Sequence, residues 1–436
     1  MNSSIIQPIL KGLAKKIIKK YNPEIIGITG SLGKTSAKEA IYAVLADKFS
    51  VRASKKNYNN EIGVPLSIID AEAQGKNILG WTGVFLKGRK LLANEDKNYP
   101  KILILEMGAD KPGDIEYLLN MVKCKIGVIT RIAESHLEFF GTVEKIKKEK
   151  SLIVKELEKS DWAIMNFDDE RIKEIAKEVK ANYLSLAINN EADIRAIEIN
   201  LNCNFSRPAS LKLDKGDFGI SFKLSHKGSA VPVFLPGVIS LPAVYAALAG
   251  AAAGIIHEMN MVEISQALRK FKSPNGRLNL IGGVKDTLII DDSYNSSSPD
   301  SCYEALSVLA KVEIAKKARR FAVLGDMLEL GNYTEEGHKK VGEAVVKNKI
   351  DYLIAVGERS RDIIEGALAQ GMNEDKTVHF SNLKDAGLFL QEKIKKGDVI
   401  LVKGSQGMRM EKIVKEVMAD PLKAGELLVR QGEGWK

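Results

Sequence analysis

The stretch Glu24-Ile25-Ile26-Gly27-Ile28-Thr29-Gly30-Ser31-Leu32-Gly33-Lys34-Thr35 decides how this chain reads. Residues 24–29 form an apolar run of the length expected for a buried strand. A glycine-rich turn follows. Lys34 and Thr35 then open a helical pattern carried by Ala37, Ala40, Ile41, Val44 and Leu45. Such a strand–loop–helix points backbone N–H groups and the positive end of a helix dipole at an anion. A lysine in this place reaches the outer phosphates, and the following hydroxyl holds magnesium. The spacing departs from the strict GxxxxGK[ST] form, because Ile28 stands five residues before Gly33. The segment still predicts a nucleoside triphosphate site, with ATP the expected ligand.

Outward from this loop the same alternation continues. Ile102–Leu105, ending at Glu106, reads as a buried strand, as do residues 126–130 and 162–166, with helical patterns between them. Alternation of this kind predicts a parallel sheet covered on both faces. Residues from about 183 to 234 alternate apolar and polar positions, as in Ala196-Ile197-Glu198-Ile199, and predict an antiparallel hairpin region. An Ala- and Gly-rich helix over 243–256 predicts close helix packing. Ser273-Pro274-Asn275-Gly276 is a turn-rich break. Beyond it strands are expected at 288–291, 320–324, 352–356 and 399–402. The expected fold class is therefore α/β: a P-loop central domain with a mostly parallel sheet over 23–273, then a Rossmann-like α/β domain over 274–436.

Residues 1–22 form a third segment. Ile6, Leu10, Leu13 and Ile17 recur at helical spacing, with Lys11, Lys15, Lys16, Lys19 and Lys20 between them. This is an amphipathic basic helix; it lacks the uninterrupted apolar core of a signal peptide and the ~20 apolar residues of a membrane span. It is expected to dock on its own domain, with contact to a partner or a membrane surface as the alternative.

At 436 residues the chain is too long for one ordinary core. Its 65 Lys and Arg against 56 Asp and Glu leave a net charge of +9, spread along the chain. That suits phosphorylated or carboxylated small-molecule substrates. No aromatic–basic interleaving or zinc-finger spacing points to nucleic acid. Cys124, Cys203 and Cys302 are far apart and form no CxxC pair, so neither a zinc site nor a disulfide framework is indicated, and a reducing cytoplasm is the expected setting.

Three further places carry chemistry. Glu106 ends a strand where ligands bind in open α/β sheets and is a candidate magnesium ligand. His136 follows a strand and a polar turn, and Lys150 lies fourteen residues beyond it in a charged helix; read alone, either is as well explained by structure or solvation. Asp291-Asp292-Ser293-Tyr294-Asn295, just past a strand, could bind ribose and adenine or cap the helix that starts near Pro299.

Taken in order, these segments resemble the Mur ligases, ATP-dependent amide-forming enzymes of peptidoglycan precursor synthesis. The resemblance rests on Gly30–Glu39, on Asn57-Tyr58-Asn59-Asn60-Glu61-Ile62-Gly63-Val64-Pro65, on Glu106-Met107-Gly108-Ala109 and on His136–Gly141. It extends through Asp291–Asn295, Val323-Leu324-Gly325-Asp326-Met327-Leu328-Glu329-Leu330-Gly331 and Lys403-Gly404-Ser405-Gln406-Gly407-Met408-Arg409-Met410. Within the family, the pattern points to the member that adds D-alanyl-D-alanine to a UDP-muramoyl-tripeptide.

The resemblance implies two magnesium ions. Thr35 and Glu106 match positions serving the ion near the γ-phosphate, and His136 matches a ligand of the second ion. Lys150 matches a lysine that the family carbamylates with CO₂, which gives it an anion able to support metal binding. Lys34, His136 and Lys150 are then the catalytic set. Gly30, Ser31, Gly33, Lys34, Thr35 and Ser36 contact phosphate, Arg277 contacts ATP phosphates, and Asp292 and Tyr294 match ribose and adenine contacts. The implied reaction passes through an acyl phosphate.

The chain departs from the family pattern in three places. Only 29 residues precede Gly30, where the family carries a UDP-binding domain, so that domain is expected to be lacking. The His-Asn pair often found before the Ala-rich helix is not found in Gly237–Tyr245. Asp110 stands where Asn is common. A Mur-like amide ligase with another acid and amine, and a nucleotide-binding scaffold without catalysis, are the competing readings.

Overall fold

The computed structural model describes residues 3–54, 58–133, 137–206, 218–294 and 298–432. Its strands are β1 (Glu24–Thr29), β2 (Val51–Ala53), β3 (Ile102–Glu106), β4 (Ile126–Ile129), β5 (Trp162–Asn166), β6 (Asn182–Ala187), β7 (Ile194–Phe205) and β8 (Phe218–His226). They continue with β9 (Ser229–Pro236), β10 (Asn279–Gly283), β11 (Thr287–Asp292), β12 (Glu313–Ile314), β13 (Arg320–Gly325), β14 (Tyr352–Val356), β15 (Thr377–Phe380) and β16 (Val399–Lys403). The chain divides into two compact units. One comprises Met1–Ile199, Phe222–Phe234 and Leu241–Phe271; the other comprises Asn200–Ser221, Leu235–Ser240 and Lys272–Lys436. The N-terminal helix thus belongs to the first unit, and the far ends of β7, β8 and β9 to the second.

In the first unit β2, β3, β1, β4, β5 and β6 lie side by side in that order, every pair parallel. β3 and β4 are buried along their whole length, as apolar runs covered on both faces require. β1 is flanked by β3 on one side and β4 on the other, so the order of connection reverses there. Ligands bind at the carboxyl ends of the strands at such a switch point. Thr29, Glu106 and Thr130 stand at those ends.

The helix Lys34–Leu45 leaves β1 and packs against Leu241–Ile256. A Cβ on Gly250 would approach the Ala40 carbonyl oxygen to 2.8 Å, and one on Gly254 would approach Val44 Cγ1 to 2.9 Å. Small residues are what let these two helices close on each other.

The antiparallel reading of residues 183–234 needs correction. β6 runs parallel to β5, pairing Ala163 with Tyr183 and Ile164 with Leu184, and β7 is parallel to β6. β6 does not alternate, since its first two residues are exposed and its last four buried; the alternation belongs to β7 and β8. A hairpin turn does occur between β8 and β9: Lys227 and Gly228 both have positive φ, 47° and 77°. That is the turn whose twist matches paired strands.

The second unit holds a sheet in the order β10-β11-β16-β13-β14-β15, parallel except for the β10–β11 pair. Its strands sort their side chains with a period of two. Leu288, Ala322, Leu353 and Leu401 enter one core layer; Ile289, Phe321, Ile354 and Ile400 enter the other. Both faces are therefore covered, as the continuous apolar runs predict. Among the described residues no helix is long and apolar enough to cross a membrane.

Candidate active site

The loop after β1 is shaped by its glycines. Gly30 has φ 148°, and a Cβ there would fall 2.0 Å from Thr130 Oγ1 and 3.1 Å from the Arg131 backbone. Gly33 caps the next helix with φ 83°, a left-handed conformation that favours glycine. The bond from Ala37 N to Gly33 O, 2.9 Å, opens the helical ladder, so the amides of Lys34, Thr35 and Ser36 lie ahead of it in the first turn. They supply the donors that an anion needs at a helix N-terminus.

Neighbouring strands brace the loop. Ser31 N donates to Arg131 O at 2.7 Å, and Ala133 N donates to Ser31 Oγ at 3.0 Å. Thr130 Oγ1 donates to Leu32 O at 2.6 Å. Lys34 Nζ donates to Gly30 O at 2.7 Å. Lys38, one turn further on, is buried and donates to Ser54 O at 2.7 Å, so it holds β2's exit, not a ligand.

Glu106 is buried at the end of β3, with its carboxylate turned to the loop. Thr35 Oγ1 donates to Glu106 Oε2 at 3.0 Å, and Asn59 Nδ2 donates to Oε1 at 3.2 Å. Asn59 is fixed in turn by Gly108 N, which donates to its carbonyl at 2.7 Å. Sequence reasoning included Asn59 in a motif but gave it no role; its only signal was its place in that motif. A hydroxyl and a carboxylate at this distance are hard oxygen donors that suit magnesium, which completes its shell with water and phosphate oxygens. Among the described residues no group of three or more His, Cys, Asp or Glu gathers into an all-protein metal cage.

Lys150 lies in the helix Val143–Lys155, which faces the same edge, and is only 2% exposed. Burial, and secondarily the charge of Lys34, push its ammonium down from 10.5 to about 7. The acidic groups Asp110, Glu149 and Asp114 oppose that shift. Glu149 is itself occupied, accepting from Gly113 N and Ile115 N at 2.9 and 2.8 Å. The charged-run reading of Lys150 as a solvated lysine is therefore wrong: period 3.6 turns it inward while its neighbours Lys145 and Lys148 stay exposed. His136 falls outside the described residues, as does Asn295.

The second unit gathers its own set. The Arg277 guanidinium lies 4.4 Å from the Tyr294 ring centroid, a cation–π contact. Gly276, with φ 70°, accepts from Tyr294 N at 3.0 Å and leaves no room for a Cβ. Asp292 Oδ2 pairs with Lys403 Nζ at 2.6 Å, both largely buried, and Asp292 Oδ1 accepts from Leu278 N at 3.3 Å. Asp292 does not cap the following helix, whose N-cap is Ser298.

Behind these residues lies a group that the sequence did not reveal. Glu411 is fully buried and accepts from Arg409 Nε at 2.7 Å and from Arg430 at 2.6 Å. Arg430 also donates to Ser293 O at 2.6 Å and Tyr294 O at 3.0 Å. Despite its burial, the two guanidinium groups hold the Glu411 carboxyl below the usual carboxylate range.

Comparison with known proteins adds to this geometry. The Mur ligase middle domain matches residues 28–79 and 85–231, and the Mur ligase glutamate ligase domain matches residues 276–406. The UDP-N-acetylmuramoyl-tripeptide–D-alanyl-D-alanine ligase of Bacillus subtilis (strain 168) is 30% identical over 413 residues, 95% of this chain and 80% of the relative. That of Escherichia coli (strain K12) is 29% identical over 409 residues, covering 92% and 78%. Among solved structures, MurF from Acinetobacter baumannii superposes with a TM-score of 0.75 at 25% identity, covering 94% of this chain and 80% of that one. The MurF ligase of Thermotoga maritima in complex with ADP gives 0.74 at 26%, covering 95% and 84%.

Proposed function

The chain belongs to the Mur ligase family, and from that membership we propose that it joins D-alanyl-D-alanine to a UDP-N-acetylmuramoyl-tripeptide in peptidoglycan precursor synthesis, consuming ATP. The carboxylate of the tripeptide attacks the γ-phosphorus and displaces ADP, giving an acyl phosphate. The amine of the dipeptide then attacks the acyl carbon, the tetrahedral adduct collapses and inorganic phosphate leaves. Transfer of this kind depends on positioning and charge neutralisation.

The residues divide this work. Gly30, Ser31, Gly33 and Ser36 present backbone or hydroxyl donors to the phosphates, and Lys34 brings its ammonium to their outer oxygens. Thr35 and Glu106 would hold Mg²⁺, which supplies neutralisation of the triphosphate charge when bound. His136 is assigned to a second metal position. Arg277 contacts phosphate, and Asp292 and Tyr294 contact ribose and adenine. Residues 23–273 carry the phosphate loop, and 274–436 supply the ribose and adenine contacts and bring in the incoming amine. The setting is the cytoplasm.

The observation that carries the catalytic reading is Lys150. A buried amine near neutrality beside Lys34 has no use in a scaffold that merely binds ATP. Its neutral form can add to CO₂, forming a carbamate with loss of a proton; the resulting anion offsets Lys34 and can join a metal shell. The test is ADP release by the purified chain with ATP, magnesium and a panel of acids and amines. Turnover that needs both UDP-muramoyl-tripeptide and D-alanyl-D-alanine supports the assignment. Turnover only with other pairs moves it to a different amide ligase, and ATP binding without turnover on any pair overturns it.

A further inference from the structure

The helix Ser3–Tyr21 and the helix Ile78–Ala93 lie side by side in the first unit and run in the same direction. Leu13 packs against Gly88, where a Cβ would sit 3.0 Å from Leu13 Cδ1. Lys20 Nζ closes the far end of the second helix, donating to the carbonyls of Leu91, Leu92 and Asn94 at 2.9, 3.0 and 2.5 Å. Inward, Ile6, Leu10, Ala14 and Ile17 from one helix join Trp81 and Val84 from the other in the core.

The outward face is unusual in two respects. It leaves large apolar side chains in solvent: Ile5 and Ile9 on the first helix, and Ile78, Leu79 and Leu86 on the second, between 39 and 84% exposed. Its two helices are also charged with one sign only. The first helix carries five lysines and the second two lysines and an arginine, and neither contains a single Asp or Glu. Lys11, Lys20 and Lys87 are engaged with Tyr117, helix-end carbonyls and Asp70. Lys15, Lys16, Lys19, Arg89 and Lys90 lie on exposed positions. Ile5, Ile9, Ile78 and Leu79 lie toward the starts of the two parallel helices, Leu86 near the middle of the second, and these cations toward their ends.

We propose that this helix pair is a docking surface for an anionic lipid bilayer, lying in the interface without crossing it. The exposed apolar side chains enter the headgroup–acyl boundary while the cations meet phosphate headgroups, so apolar burial and attraction to anionic lipid add. A flat bilayer accepts apolar side chains and a wide field of cations together. A second copy of this chain would bring the same positive field against itself in a symmetric contact.

The test is sedimentation of the full chain with vesicles of phosphatidylcholine alone and of phosphatidylcholine with phosphatidylglycerol. Binding is expected only with phosphatidylglycerol and is expected to weaken as salt is raised. Each cation near an anionic surface contributes about fivefold, so Lys16→Ala with Lys19→Ala should weaken partitioning by roughly 25-fold. Ile9→Ser with Leu79→Ser should remove the part of the binding that survives high salt. These positions are exposed, and unchanged ADP release and circular dichroism certify the fold of each variant. Equal binding to neutral vesicles, none to anionic ones, or no response to the lysine pair overturns the proposal. So does a self-association, or capture of an acidic protein in place of vesicles, that the same variants abolish.

Discussion

Replacing Lys150 by Met should make the protein more stable and inactive at once. Lys150 is almost fully enclosed, and its ammonium has moved from 10.5 to about 7. Each unit of displacement corresponds to about 1.4 kcal/mol, so folding with this group protonated costs roughly 5 kcal/mol. The sign follows from proton linkage. The folded state binds the proton less tightly than the unfolded state, so the cost is fully present below pH 7 and declines as pH rises from 7 toward 10.5. At pH 9 about 2 kcal/mol remains. Methionine fills a similar volume without charge and is free of this cost. Denaturant unfolding in CO₂-depleted buffer should therefore show Lys150→Met ahead of the parent by several kcal/mol at pH 6, with the gap closing through pH 9. ADP release by the variant should fall to background. In the parent, the neutral amine rises from about a tenth at pH 6 to about nine-tenths at pH 8, so added bicarbonate should raise activity most on the acidic side. A stability gap that does not change between pH 7 and 10 would refute the buried-cation argument. Parental turnover by Lys150→Met would refute the carbamate.

Other changes follow from the same physics. Gly30→Ala places a methyl 2.0 Å from Thr130 Oγ1 at a backbone angle that alanine avoids; ATP affinity by calorimetry should fall at least tenfold, with a loss of about 1–3 kcal/mol in stability. Thr35→Ala removes the hydroxyl that meets Glu106 and should reduce kcat by ten- to a hundredfold with little loss of stability, read from steady-state ADP release across a magnesium series. Arg430→Met leaves the buried Glu411 with Arg409 as its guanidinium partner and should destabilise the protein by about 3–5 kcal/mol while raising KM for ATP more than it lowers kcat. His338 is fully buried, with Nε2 accepting from Met327 N and Nδ1 against the Thr334 carbonyl; burial pushes its pKa down. The unfolded chain then binds the proton more readily, so stability should fall as pH drops below 6.5, and His338→Gln should flatten that slope in a thermal melt series.

What the sequence made legible were features written in adjacent residues. The loop Gly30–Thr35 and the strands ending at Thr29, Glu106 and Asp292 could be read because glycine geometry and apolar runs are local signals. β6 and β15 were harder: β6 opens with two exposed residues before its buried run, and β15, an edge strand half-buried throughout, shows no clear period. Asn59 meets Glu106 across 47 positions, and Lys403 meets Asp292 across 111. No local pattern encodes such pairs, which arise only when sheet order brings strand ends together. Lys150 was misread by its neighbours: a run of lysines and glutamates looks solvated, yet one position in that run turns to the core.

Arg430 has a consequence in time as well as in space. The carbonyls it holds, at Ser293 and Tyr294, leave the ribosome 136 or more residues before it does. At roughly 5–20 residues per second, that interval lasts about 7–27 s. During it the strand end with Asp292 and Tyr294 lacks its final anchor, while Glu411, made only 19 residues ahead of Arg430, lacks half of its countercharge. The strand end that carries Asp292 and Tyr294 is thus completed only once Arg430 has been made. A nascent chain stalled short of Arg430 should carry a formed sheet with a loose end, open to chaperones and proteases.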